Sequence, residues 1–266
     1  MKDAKHIPDK GRDGAGHLFA RWPQVARRIR SASHLVLFLD FDGTLTPIRR
    51  RPEDVPPLDL PTRRLLRRLA DCPWLDVYVI SGRRLADLRA RVRVPGVHLL
   101  GLYGWEARGV PPARKERELV QRLKRLLAAR LAGIPRVWLE DKNLGIAVHY
   151  RGALPAEARA ARVIVRRVLE RFKPQLRLIQ ERRAWQLLPR AVDGKGPAVL
   201  RLLGKRRRPA LPVFAGDDAA DESAFVALPR GITVQVGNTR RTKARFYLRN
   251  PAEVLTFLRK LEAEVA

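Results

Sequence analysis

The run Leu35-Val36-Leu37-Phe38-Leu39, followed at once by Asp40-Phe41-Asp42-Gly43-Thr44, decides the fold of this chain. Five consecutive apolar residues are what a strand needs when both of its faces are buried, as in the middle of a parallel sheet. The acidic segment and Gly43 then predict that the strand ends and the chain turns. Downstream, Pro61 to Ala70 places Leu65, Leu66 and Leu69 at helical spacing, and Leu75 to Ile80 reads as a second buried strand ending at Ser81-Gly82. Leu85 to Val92 predicts a helix and His98 to Tyr103 another strand. Strand, helix and strand in succession form the unit of a doubly wound α/β sheet with right-handed crossovers.

The same alternation returns near the C-terminus. A helix over Gly196 to Leu203, a strand over Leu211 to Ala215, a helix over Asp221 to Leu228 and a strand over Ile232 to Val236 continue the parallel sheet. A last helix starts at Asn250, Pro251 and Glu253, a cap, a first-turn proline and a residue placed to reach back. Between these halves the rhythm changes. Glu118 to Leu131 and the segment opened by Pro155 predict helices, each followed by two strands: Arg136 to Glu140 and Gly145 to Tyr150, joined by Asp141-Lys142-Asn143, then Leu176 to Ile179 and Ala184 to Leu188. The order αββαββ predicts a separate α+β domain over 108–189, inserted into an α/β core of 31–107 and 190–266. Residues 1–30 read as an extension with a loose, glycine-containing start and a short helix over Val25 to Ile29.

The chain has 266 residues, and 55 Lys+Arg against 27 Asp+Glu leave a formal charge of +28. Arginine supplies 44 of those cations, spread along the whole length, which argues against a dedicated nucleic-acid arm while still attracting polyanions non-specifically. An apolar fraction of 45% supports a sizeable core rather than disorder. The single cysteine, Cys72, excludes an intramolecular disulfide and a four-cysteine zinc framework. Met1 to Trp22 lacks the apolar stretch of a signal peptide, and no run approaches the ~18 apolar residues of a membrane span, so a cytoplasmic protein, acting as a monomer, is expected.

Against so basic a background, the position of the acids carries the chemistry. Asp40 and Asp42 follow one buried strand, and Asp217, Asp218 and Asp221 follow another. Ligands of open parallel sheets bind outside those strand ends. Converging carboxylates repel unless a hard divalent cation such as Mg²⁺ joins them, and Asp40, Asp42 and Asp217 are the candidate ligands, with the Phe41 carbonyl beside them. Asp40 is placed to attack a phosphoryl group, and Asp42, two residues on, to protonate the leaving oxygen and deprotonate water. Asp-Gly is equally a turn signal, and a serine ending a strand is often a helix cap. The conjunction shifts the balance toward chemistry: Ser81 and Gly82 can approach a phosphoryl oxygen, and Lys195, before a helix, can neutralise one.

Taken in order, DFDGT, SGR, a lysine before a helix, and GDD followed by DE resemble the four motifs of the haloacid-dehalogenase superfamily. Within it, LDFDGTLTPI, VISGR, GLYGWE, the pair LEDK and VHYR, and AGDDAADESAF are most similar to the trehalose-6-phosphate phosphatases, over about residues 35–260. The resemblance implies a substrate-specificity cap inserted between the second and third motifs, Mg²⁺ as cofactor, and trehalose 6-phosphate as substrate. It implies Asp40 as nucleophile, Asp42 as general acid and base, Ser81 and Lys195 on the phosphoryl group, and Asp218 and Asp221 orienting metal waters or Lys195. It places Gly104 and Glu106 at the hinge side, and Glu140, Lys142, His149 and Arg151 as candidates to touch sugar hydroxyls. Two departures bear on the sugar: Tyr103 stands where the family usually has histidine, and Gln186-Leu187-Leu188-Pro189 where it usually has Glu-x-Arg-Pro. Gln186 can still bind a hydroxyl, whereas Leu188 cannot. The alternatives are a related sugar phosphatase acting on sucrose 6-phosphate or a glycosyl-phosphoglycerate, and a basic nucleic-acid-binding protein on the same scaffold.

Overall fold

A computed structural model describes residues 15–49, 51–106, 114–142, 145–181, 183–190, 194–206, 209–237 and 241–265. The first half contains β1 (Gly16–His17), α1 (Trp22–Arg30), β2 (Leu35–Leu39), α2 (Leu60–Ala70), β3 (Leu75–Ile80), α3 (Leu85–Val92) and β4 (His98–Leu100). The middle contains α4 (Arg114–Leu131), β5 (Trp138–Asp141), β6 (Ile146–His149), α5 (Pro155–Arg171), β7 (Leu176–Glu181) and β8 (Ala184–Pro189). The chain closes with α6 (Lys195–Gly204), β9 (Leu211–Gly216), α7 (Glu222–Ala227), β10 (Ile232–Val236), β11 (Phe246–Leu248) and α8 (Pro251–Val265).

Seven strands form one sheet in the order β1-β11-β10-β9-β2-β3-β4, and every neighbouring pair is parallel. All five residues of β2 are buried, which is why its sequence does not alternate. Leu35, Leu37 and Leu39 pack with apolar residues of α1, α2, α3 and α8, whereas Val36 and Phe38 pack with α6 and α7 on the opposite face. The register sets the strand ends level, because Leu39 lies beside both Val79 and Ala215. Asp40, Ser81 and Asp217 therefore emerge at one edge of the sheet without any long reach.

The second sheet has the order β5-β6-β8-β7, with every pair antiparallel. Ile146, Val148, Trp185 and Leu187 point to α4 and α5 and form a core of their own. The alternate positions face away from those helices, and the row Glu140–Ala147–Gln186–Ile179 crosses all four strands. The αββαββ order expected of this region is observed.

Three features differ from the sequence expectations. The strand expected to run to Tyr103 stops at Leu100, because Leu102 (φ 46°) and Tyr103 (φ 59°) adopt left-handed backbone. That turn is held by Leu102 N donating to Arg83 O (2.8 Å) and Tyr103 N to Ser81 O (2.9 Å). The segment before residue 31 is joined to the large sheet: Gly16–His17 pairs with Phe246 and Tyr247, and Trp22 packs edge-on against Phe257 of α8. Glu253, expected to reach back to the helix cap, instead accepts from Arg249 N (2.7 Å), while Asn250 Oδ1 accepts from Glu253 N (3.0 Å) as a cap does. The loose start before Ala15, the Asn143 end of the hairpin turn and the boundary expected at 107/108 lie outside the described residues. Among the described residues no helix is long and apolar enough to cross a membrane.

Candidate active site

The level strand ends bring the acids of two motifs together. Lys195, at the start of α6 and 2% exposed, donates from Nζ to Asp40 Oδ1 and to Asp221 Oδ1, both at 2.6 Å. The second oxygen of Asp221 accepts from Asp218 N at 3.0 Å, and Asp218 Oδ1 accepts from Ala220 N at 2.8 Å. Asp40, Asp217 and Asp221 each offer a carboxylate oxygen within 4.8 Å of the other two. Gly43 makes this possible: its φ of +83° suits glycine, and a Cβ there would overlap the Asp217 carboxylate.

One lysine does not balance these acids. Burial, followed by repulsion from Asp40, Asp218 and Asp221, pushes Asp217 well above the usual carboxylate range. Burial raises Asp40 and Asp221 to about 6 even though Lys195 pulls both down. Burial alone would lower Lys195, but Asp221, Asp40 and Asp218 hold it well above its ordinary value, so it stays charged. A buried set of hard oxygen donors that repel one another fits a divalent cation of the Mg²⁺ type, with Asp40 and Asp217 as the side chains best placed to hold it.

Two expected ligands do not belong to this set. Both oxygens of Asp42 are taken by the Arg83 guanidinium, Nε to Oδ2 at 2.6 Å and Nη2 to Oδ1 at 2.7 Å, so Asp42 faces arginine rather than the acidic cluster. The Phe41 carbonyl accepts from Leu45 N (3.0 Å), Thr46 N (3.1 Å) and Thr46 Oγ1 (3.3 Å) and so closes the turn. Arg83 was not foreseen. It also bonds Asp87 (2.6 Å) and the Pro52 carbonyl (2.9 Å), tying the SGR turn to α3 and to the loop after Gly43. Its position directly after Ser81-Gly82 was the one available signal.

The cavity over Asp40, Ser81, Gly82 and Lys195 takes its opposite wall from the second sheet, where Glu140, Lys142, His149 and Arg151 line it. Ser81 Oγ accepts from Arg83 N at 3.2 Å and is 2% exposed. His149 pairs with Glu140 (2.8 Å) and stacks on Trp138, ring centroids 3.9 Å apart and nearly parallel. Lys142 Nζ lies 3.9 Å from the same carboxylate. Burial would raise Glu140, but the His149 hydrogen bond and the charges of Lys142 and Arg83 outweigh it and hold the acid below its usual range. Arg151 donates to the Arg49 carbonyl, joining the second sheet to the loop that follows Asp42.

Glu106, expected at the hinge side of the substrate site, and Gln186, expected to bind a hydroxyl, are not part of that wall. Glu106 Oε2 accepts from Leu85 N (2.5 Å), capping the exposed amides at the start of α3. Gln186 is fully buried and accepts from the Tyr103 hydroxyl, while Tyr103 itself reaches the cavity.

A family model described as trehalose-phosphatase matches residues 38–252. The trehalose-phosphate phosphatase of Mycobacterium marinum is 32% identical over 246 residues, covering 86% of this chain and 62% of that protein. The chain thus spans about three-fifths of the length of these curated trehalose-phosphate phosphatases. The C-terminal domain of Candida albicans trehalose-6-phosphate phosphatase superposes with a TM-score of 0.82 at 21% identity, covering 95% of this chain and 100% of that one. A haloacid dehalogenase-like hydrolase from Bacteroides thetaiotaomicron superposes with a TM-score of 0.58 at 15% identity, covering 86% and 99%, and places the fold in the haloacid-dehalogenase class.

Proposed function

Because this chain belongs to the trehalose-phosphatase family, we propose that it is a divalent-cation-dependent phosphatase that hydrolyses trehalose 6-phosphate to trehalose and phosphate. The observation that carries the reading is the buried Asp40–Lys195–Asp221 linkage, with Asp217 beside it, on the floor of a cavity roofed by Glu140, Lys142 and His149. Lys195 holds one oxygen of Asp40 and leaves the other to attack phosphorus. The Asp40–phosphorus bond forms as the bond to the sugar oxygen breaks, and that oxygen takes a proton from Asp42. Asp42 then removes a proton from water, which attacks phosphorus and releases phosphate with Asp40 restored. Both oxygens of Asp42 must first leave Arg83, so the fork between them is a resting arrangement that substrate displaces. Asp40 and Asp217 would hold Mg²⁺, whose charge would offset that of the acidic floor and of the phosphoryl group.

The roof supplies groups suited to a disaccharide. Glu140 can accept, Lys142 can donate, and His149, backed by Trp138, gives an aromatic ring, all three lining the same cavity. The net charge of +28 draws anionic phosphosugars toward the protein as a whole. The test is phosphate release, with and without Mg²⁺, from trehalose 6-phosphate, sucrose 6-phosphate and a glycosyl-phosphoglycerate. The reading expects Mg²⁺-dependent turnover with the highest kcat/KM for trehalose 6-phosphate. An equal or higher value for either of the others overturns the substrate, and turnover indifferent to Mg²⁺ overturns the cofactor.

A further inference from the structure

Gln186 lies in the middle of β8, with Ala184 two residues before it in the cavity wall and Leu188 two residues after it, all on the face turned from α4 and α5. Its side chain does not reach the cavity. It meets Tyr103 of the large domain, whose hydroxyl donates to Gln186 Oε1, and Leu188 packs beside it with Tyr103, Ala220, Ile179 and Trp105. This is a buried contact between the cap and the core, and the Tyr103–Gln186 hydrogen bond lies within it.

The core half of that contact is rigidly placed. Tyr103 has φ 59° and ψ 26°, an unusual backbone for an aromatic residue, and its N–H is bound to Ser81 O at 2.9 Å. The ring lies over the phosphate turn: a Cβ at residue 82 would stand 2.7 Å from the Tyr103 hydroxyl and 2.9 Å from Cζ. Only glycine at 82 lets tyrosine occupy this place. The cap half is equally committed, since Gln186 is fully buried and its Nε2 has no partner among the described residues. Loss of the hydroxyl would leave the whole amide dry. In the cap sheet Gln186 shares a row with Glu140, so the level at which it rests on Tyr103 sets the height of Glu140 and His149 above Asp40.

We propose that the Tyr103–Gln186 hydrogen bond, flanked by Leu188, is the seat that fixes how the cap rests over the Ser81-Gly82 phosphate turn, making both residues positioning residues for phosphosugar hydrolysis. The proposal rests on the phosphosugar reading above. It requires that the pair act on substrates that need the cap and not on small ones that do not.

The experiment compares Tyr103→Phe, Gln186→Leu and the double variant with wild type, using trehalose 6-phosphate and p-nitrophenyl phosphate. The readout is the ratio of the two kcat/KM values, in which the fraction of folded enzyme cancels. Each single variant is expected to lower the ratio about tenfold, the size of effect for a buried polar group left unpaired. The double variant, in which both polar groups are gone, is expected to recover most of it. Ratios within twofold of wild type for both single variants, or losses that simply multiply in the double variant, overturn the proposal. If wild type favours no phosphosugar, the functional reading falls separately, and the seat is then read from thermal melts of the same four proteins. Non-additive shifts in Tm support it and additive shifts overturn it.

Discussion

Replacing Lys195 by methionine keeps the length of the side chain and removes its charge. Lys195 is 2% exposed and bonds two buried carboxylates at 2.6 Å each, so the variant strands Asp40 and Asp221 together without a cation. Removing one partner of a buried ion pair costs about 3–5 kcal/mol. At roughly 2–4 °C per kcal/mol for a chain of this size class, Tm measured with a chelator at pH 7.5 should fall by about 6–20 °C. Part of that loss returns in acid. Asp40 and Asp221 are raised from 3.8 to about 6 on folding, so what they contribute to stability is greatest below pH 3.8 and is lost as pH rises through 6. Without Lys195 they rise further, and near pH 5 both are protonated and no longer repel. The deficit relative to wild type should therefore be smaller at pH 5 than at pH 7.5, read by calorimetry. Phosphate release should fall by about 10²-fold or more, since the transferring group loses its buried cation. A variant that melts with wild type at pH 7.5, or whose deficit grows at pH 5, refutes the reasoning.

Mg²⁺ should raise the Tm of the wild type by an amount equivalent to about 2.7 kcal/mol at a hundredfold excess over Kd, and Asp217→Asn should abolish most of that shift. The shift should be larger at pH 7.5 than at pH 5, because burial and its acidic neighbours make Asp217 hold its proton well above the usual carboxylate range. Arg83→Gln should lower the urea midpoint by an amount equivalent to about 1–3 kcal/mol, moderated because its partners Asp42 and Asp87 are each about a third exposed. Arg83→Lys should fail to restore it, since a single ammonium cannot span both oxygens of Asp42, Asp87 and the Pro52 carbonyl. Glu106→Gln should leave kcat/KM for the phosphosugar within twofold of wild type while lowering stability by no more than about 1 kcal/mol, as expected of a group that caps α3.

What the sequence reveals here is set by how local each cause is. Buried parallel strands announce themselves in Leu35–Leu39 because both faces must be apolar, and the acids stand out at Asp40 and Asp217 because the strands stop there. The change of rhythm in the middle is legible for the same reason, since α4 and α5 each need one apolar stripe. Contacts decided by distant segments leave no such mark. Nothing around Gln186 indicates that Tyr103, 83 residues earlier, will take its oxygen, and nothing around Glu106 indicates that its partner is an amide of α3. Arg83 is one of 44 arginines, so its fork onto Asp42 is hidden by composition. The edge strand Gly16–His17 is too short to show any period, and the Phe41 carbonyl is claimed by the fold of the turn through Thr46.

The central claim is that Asp40 takes the phosphoryl group. Mixing the enzyme with Mg²⁺ and excess trehalose 6-phosphate, quenching in acid within the first turnover, and mapping the phosphoryl group by mass spectrometry tests it directly. The account predicts an acid-stable phosphorylated peptide containing Asp40, formed before the steady release of phosphate and missing from Asp40→Asn. Rapid phosphate release with no modified peptide, together with substantial turnover by Asp40→Asn, would contradict it.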